Sequence, residues 1–155
     1  MRRMLPAIAA AALSVDPAGA ASLGACQDYV RTAVESAHVQ RERRCGFARP
    51  MWKTDPAGHM RWCRRSRAEA VAREHRAILR DLARCTTCSA YAKEAARETR
   101  DAARLGCGYS GPRWASGYGD HLGWCLRADG AAAASEQRER KLQLFRCYQD
   151  KGVRP

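Results

Sequence analysis

From Cys26 to Arg44 small and apolar residues return at helical spacing on one side: Cys26, Tyr29, Val30, Ala33 and Ala37, ending at Arg44 and Cys45. Gly46 supplies a stop just beyond. A second stripe, Ala68, Val71, Ala72, His75, Ile78, Leu79 and Leu82, follows Ser66-Arg67-Ala68-Glu69, which has the form of a capping box. A third stripe holds Tyr91, Ala92, Ala95, Ala96, Ala103 and Leu105. The fourth opens on Asp129 as N-cap and gathers Leu142, Leu144 and Phe145 only near its end. Four helices are therefore expected, and the chain should be all-α.

The stripes belong to a tandem repeat. Cys26, Cys45, Cys63 and Cys85 recur as Cys88, Cys107, Cys125 and Cys147, with successive separations of 19, 18 and 22 in both copies. Tyr29 keeps phase with Tyr91, Pro50 with Pro112, Trp52 with Trp114, His59 with His121 and Trp62 with Trp124. Unit 1 is read as residues 26–87, unit 2 as 88–147, and 148–155 as a tail. Ile78 and Leu79 face Arg140 and Lys141 in this alignment, which predicts that the second pair of helices is rotated or looser.

Ahead of the repeat, Arg2 and Arg3 precede an apolar run from Leu5 to Val15 and the small residues Ala18-Gly19-Ala20, the three parts of an export signal occupying residues 1–20. Leu23-Gly24-Ala25-Cys26 also resembles a lipobox. The internal counterpart Cys88 cannot be an acylated N-terminus, which favours Cys26 as a disulfide partner. Export to the periplasm or medium permits disulfides. With 30 Ala and two Phe in 155 residues, the apolar core is small and needs such staples. Two antiparallel helices of about 18 and 21 residues would bring opposite ends together, which selects nested bonds: Cys26 to Cys85, Cys45 to Cys63, Cys88 to Cys147 and Cys107 to Cys125. The expected fold is two tandem disulfide-stapled antiparallel helical hairpins, each with a cross-linked 17-residue loop carrying Trp and His. Cys85-Thr86-Thr87-Cys88 then becomes a junction between units rather than a redox or zinc motif.

All four Trp lie in those loops. The run C-G-Y-S-G-P-R-W from Cys107, followed by H-x-x-W-C ending at Cys125, resembles a Cys-rich tandem repeat of exported bacterial proteins; in unit 1 Ala48-Arg49-Pro50-Met51 replaces Ser110-Gly111-Pro112-Arg113. The resemblance implies export, disulfides and modularity, and no particular activity. The Trp either pack as small cores on the disulfides, or one per loop, Trp52 and Trp114, is exposed beside Arg49 or Arg113 as a platform for a sugar ring, aromatic group or cation. His59 and His121 divide likewise between hydrogen-bonded structural residues and ligand contacts. His75 falls on an apolar face.

The sequence carries 28 basic and 16 acidic residues, a net charge of +12. Arg43, Arg44, Arg61, Arg64 and Arg65 would be drawn together by the nested disulfide around Trp52 and Arg49, a patch of forked donors for phosphate or carboxylate groups; alternatively the 24 Arg simply solvate the surface. No nucleic-acid-binding motif, phosphate loop or nucleophile elbow is present, and no carboxylate keeps phase with the histidines: Asp55 stands four before His59, Asp120 one before His121. These features point to a non-catalytic secreted or periplasmic binding module, without cofactor or metal, for an anionic polymer or glycan of the cell envelope. The alternative is a cationic secreted effector acting on membranes or host targets.

Overall fold

The computed structural model describes residues 19–154; all but the last two residues of the proposed export signal, and Pro155, lie outside them. The described chain is all-α. Helix α1 spans Leu23–Glu42, α2 Pro56–Arg65, α3 Ala68–Leu105, α4 Tyr118–Arg127 and α5 Gly130–Asp150, with short 3-10 turns at Pro50–Trp52 and Pro112–Trp114. No strand and no helix long and apolar enough to cross a membrane occurs among the described residues.

The repeat holds at the level of elements. In the register that carries Cys26 onto Cys88, α2 falls on α4 from its first residue to its last, the start of α3 falls on the start of α5, and the two 3-10 turns coincide. The loops expected between the long helices are thus largely helical. Asp55-Pro56 starts α2: the Asp55 carboxylate accepts from the Gly58 amide at 3.0 Å, and Pro56 occupies a first-turn position where its missing N–H costs nothing.

Three further expectations are corrected. The second and third expected helices are one helix of 38 residues, because no Gly or Pro interrupts the stretch; Cys85 still pairs within unit 1 and Cys88 within unit 2, so the junction lies inside α3, which belongs to both units. Its first half is the second long helix of unit 1, its second half the first of unit 2. The long helices of each unit are parallel, not antiparallel: Thr32 meets His75 and Cys45 meets Cys85, so both numbers climb together. The short α2 makes the return, running back along α1 so that Cys63 arrives beside Cys26.

That return changes the disulfides. The bonds are Cys26–Cys63, Cys45–Cys85, Cys88–Cys125 and Cys107–Cys147, with Cα separations of 5.4 to 5.8 Å, and no cysteine is free. The interleaved pattern replaces the nested one. Neither Trp/His segment is closed on itself. Each bond spans 37 or 40 residues, for which chain entropy gives about 4 kcal/mol per bond.

The caps divide. Asp129 caps α5 as expected, accepting from the Ala132 amide at 2.6 Å. The Ser66 capping box does not form: Arg67 is the N-cap residue, and Ser66 Oγ donates to the Trp62 carbonyl at 2.8 Å. The backbone of Gly19 and Ala20 pairs with Arg67 and Ala68 at this end instead. Gly106, in the left-handed region at φ 66°, ends α3, while in unit 1 the left-handed positions are Arg44 and Gly46, beyond the end of α1 at Glu42. The tail begins in helix, since α5 reaches Asp150.

Unit 1 packs Cys26, Tyr29, Ala33, Met51, Trp52, Val71 and Ile78 into one cluster. Between the units, Cys45, Cys85, Cys88, Tyr91, Leu122 and Cys125 form another, with Phe47, Tyr118 and Leu126 against it, so the two units share a core. Tyr118 fastens the contact by donating to the Arg43 carbonyl at 2.8 Å. In unit 2 the helices are not rotated. Arg140 occupies the place of Ile78, fully buried, with its Nε donating to Glu98 at 3.0 Å; Glu98 stands where unit 1 has Ser36.

Candidate functional site

Each unit has a cleft between its first long helix, its 3-10 turn, its short helix and its second long helix, and the two clefts are lined by equivalent positions. Tyr29, Pro50, His59, Trp62 and Glu74 line the first; Tyr91, Pro112, His121, Trp124 and Glu136 line the second. The space differs: about 310 Å³ in unit 1 and about 1120 Å³ in unit 2. Substitutions in the walls contribute, and the larger cleft also runs on past Tyr109, Gln143 and Arg146. Lys53 and Arg61 flank the smaller cleft, whereas their counterparts Ala115 and Gly123 leave the larger one open.

The short helices place His and Trp at i and i+3, His inward and Trp at the rim. His59 and His121 are buried, whereas Trp62 and Trp124 are 37% and 36% exposed. In both units His Nε2 donates to a backbone carbonyl at 2.8 Å, that of Lys53 or Ala115, which assigns the proton to Nε2 and leaves Nδ1 an acceptor. Each Tyr packs on both partners, with ring centroids 5.6 Å from His59 and 5.1 Å from Trp62 in unit 1, and 6.0 and 5.5 Å from His121 and Trp124 in unit 2.

The electrostatics follow from burial. Burial, assisted by the Glu74 carboxylate, pushes the Tyr29 hydroxyl up to about 12; burial and Glu136 likewise raise Tyr91. Burial holds His121 below the ordinary imidazole range, helped by the Arg140 charge against the opposing bond to Ala115, so this ring is neutral near pH 7. At the wall of the larger cleft Arg113 holds Glu136 through two bonds of 2.7 and 3.0 Å, a planar fork with a carboxylate. Met51 stands at the Arg113 position in unit 1, and Glu74 has no ion-pair partner among the described residues.

The anticipated Trp platform is corrected in its choice of residues. Trp52 and Trp114 are core: Trp52 packs on Phe47 at 4.8 Å, and Trp114 stacks on Tyr109 at 4.6 Å, donates to Gln143 at 3.1 Å and carries the Arg140 guanidinium 4.5 Å from its ring centre. Trp62 and Trp124 are the partly exposed pair. The Arg cluster is corrected too. Without a Cys45–Cys63 bond, Arg43 and Arg44 lie beyond the C-terminal end of α1 while Arg61, Arg64 and Arg65 lie beside its start, about 27 Å away along the axis. Arg49 is paired with Asp81 at 2.8 Å, Arg61 lies 3.7 Å from Asp55, and Arg65 Nε donates to the Arg61 carbonyl. His75 is half-buried and bonds Thr32.

Besides Trp62 and Trp124, the cleft residues Tyr29, Tyr91, Glu74 and Glu136 were not singled out as a site by the pattern. All four were accessible to it, since both pairs keep the phase of the repeat. Among the described residues no group of three or more His, Cys, Asp or Glu is placed to hold a metal ion. No protein-family model, no curated protein and no solved structure matches the chain.

Proposed function

We propose that this is an exported, non-catalytic binding module for a carbohydrate of the cell envelope, taken in the cleft of unit 2. The observation that carries the reading is the half-exposed face of Trp124 at the mouth of a cleft of about 1120 Å³. The Arg113–Glu136 fork and the neutral His121 line the same space. An aromatic face takes the C–H side of a pyranose, and fixed planar polar groups take its hydroxyls. Four disulfides favour an oxidising compartment, and the N-terminal pattern supplies the address. Membership of the Cys-rich exported repeat family belongs to the same proposal. A purely anionic polymer is less well served, because the arginines expected to converge on one end are divided between two.

The test is a glycan panel on the mature oxidised protein, with Trp124→Ala and the unit 1 control Trp62→Ala. Saturable binding weakened roughly tenfold by Trp124→Ala, about 1.4 kcal/mol, and little by Trp62→Ala is the expected result. Leakage of anionic vesicles with no saturable glycan binding would move the protein to the effector class.

A further inference from the structure

At their floors the two clefts differ in one hydrogen bond, and the difference separates a closed copy from an open one. In unit 1 Tyr29 Oη donates to His59 Nδ1 at 3.1 Å, so the floor of the small cleft satisfies itself. In unit 2 the His121 bond to Ala115 is kept, yet Tyr91 Oη and His121 Nδ1 have no partner among the described residues. Neither atom is sealed away: the fully buried side-chain atoms without a partner are Trp52 Nε1 and Arg140 Nη1 alone among those described. Both rings line the larger cleft, and Tyr91 also borders the neighbouring hollow between α3, α4 and α5. The opening is written in the wall, where Gly123 and Ala115 replace Arg61 and Lys53.

Resting on the carbohydrate reading, we infer that the floor of the unit 2 cleft is a subsite for an uncharged hydroxyl: a sugar O–H donates to His121 Nδ1 and accepts from Tyr91 Oη while the ring lies on Trp124. Unit 1, closed by its own Tyr–His bond, is the structural copy. The chemistry excludes an anion at this point. A neutral Nε2–H imidazole offers a lone pair at Nδ1, which attracts a donor and repels a carboxylate or phosphate oxygen. A site built to pair a hydroxyl also discriminates strongly against ligands lacking one, because its own groups are then left unpaired.

The experiment titrates the oxidised protein with cellobiose, chitobiose and maltose as neutral probes and digalacturonate as an acidic one, following the histidine ring nitrogens by NMR. A neutral probe is expected to move the His121 Nδ1 resonance and leave His59 in place, with Tyr91→Phe weakening binding roughly tenfold. Gly123→Arg restores the unit 1 wall and should abolish binding with the circular dichroism unchanged. The fold accepts Arg at the equivalent position, and the nearest atom to a Cβ at 123 is the mobile end of Arg127, 3.3 Å away. Full binding by Gly123→Arg, movement of His59 instead, or tight digalacturonate binding with His121 unmoved overturns the inference while leaving a binding module. Failure of all four probes overturns the carbohydrate reading beneath it.

Discussion

Replacing Arg140 by Met should be among the most damaging single changes in the protein, while replacing Arg140 and Glu98 together should be mild. Both side chains are buried, at 0% and 2% exposure, and Nε donates to Glu98 at 3.0 Å; Nη2 donates to Thr99 at 3.2 Å and to the Ala95 carbonyl. Removing the guanidinium strands a carboxylate in the core, which costs roughly 3 to 5 kcal/mol. The pair itself is worth far less. Its charges are desolvated, and Nη1 has no partner, a penalty of about 1 to 3 kcal/mol. Unit 1 shows what can replace it, because Ser36 and Ile78 fill the same places. The double variant Glu98→Ser, Arg140→Ile should therefore lie within about 2 kcal/mol of the wild type, giving a coupling energy of at least about 2 kcal/mol. The contact of Arg140 with Trp114 is lost in both variants and cancels from the comparison. Burial already raises Glu98 despite Arg140, so without the arginine its folded-state pKa rises further; the Arg140→Met protein binds its proton more tightly folded than unfolded and should regain stability as pH falls from 7 towards 5. Urea unfolding with disulfides intact, followed by Trp fluorescence at both pH values, measures all the variants. Losses from Glu98→Ser and Arg140→Ile that simply add up in the double variant would refute the reasoning.

Non-reducing peptide maps should link Cys26 to Cys63, Cys45 to Cys85, Cys88 to Cys125 and Cys107 to Cys147; a Cys45–Cys63 peptide would overturn the up, down, up path of each unit. Asp129→Ala should cost about 1 kcal/mol through loss of the α5 cap, whereas Ser66→Ala should stay within about 0.5 kcal/mol because the Ser66 hydroxyl does not cap α3 and its bond to the Trp62 carbonyl is exposed; thermal unfolding distinguishes them. His121 should titrate by NMR below the usual value near 6.5, and since the fold favours its neutral form, its contribution to stability is complete above about pH 6.5 and is lost as pH falls through the lower folded value. Tyr29 behaves oppositely, keeping its proton to about pH 12 in absorbance titration, so its contribution is complete below the unfolded value near 10 and declines between there and 12.

Much of the fold was legible because helical periodicity and repetition are local. The stripes at Tyr29, Ala33 and Ala37 and at Val71 and Ile78 mark faces that are buried, at least in part, wherever the partner helix comes from. The phase of the repeat carried every element of one unit onto the other, and Asp129 ahead of an Ala run sufficed to place the α5 cap. The ten residues of α2 were legible in principle too, from Asp55 as cap and Pro56 at the first turn, but Gly58 and the alternation of His, Trp and Arg blur their stripe. What depends on the return of the chain was not. Four cysteines at separations of 19, 18 and 22 allow nested and interleaved pairing equally, and the choice falls to the direction of the second long helix, which α2 sets by packing back along α1. The same return decides that Trp62 and Trp124 face outward while Trp52 and Trp114 enter the core, and it divides the arginines between two ends. The cleft floor needed still more, because Tyr91 and His121 belong to different helices that meet only after α4 folds onto α3. A helix hydrogen-bonds its own neighbours one turn away, so its existence is written in the local sequence; which helix it meets, and in which direction, depends on packing between distant parts of the chain.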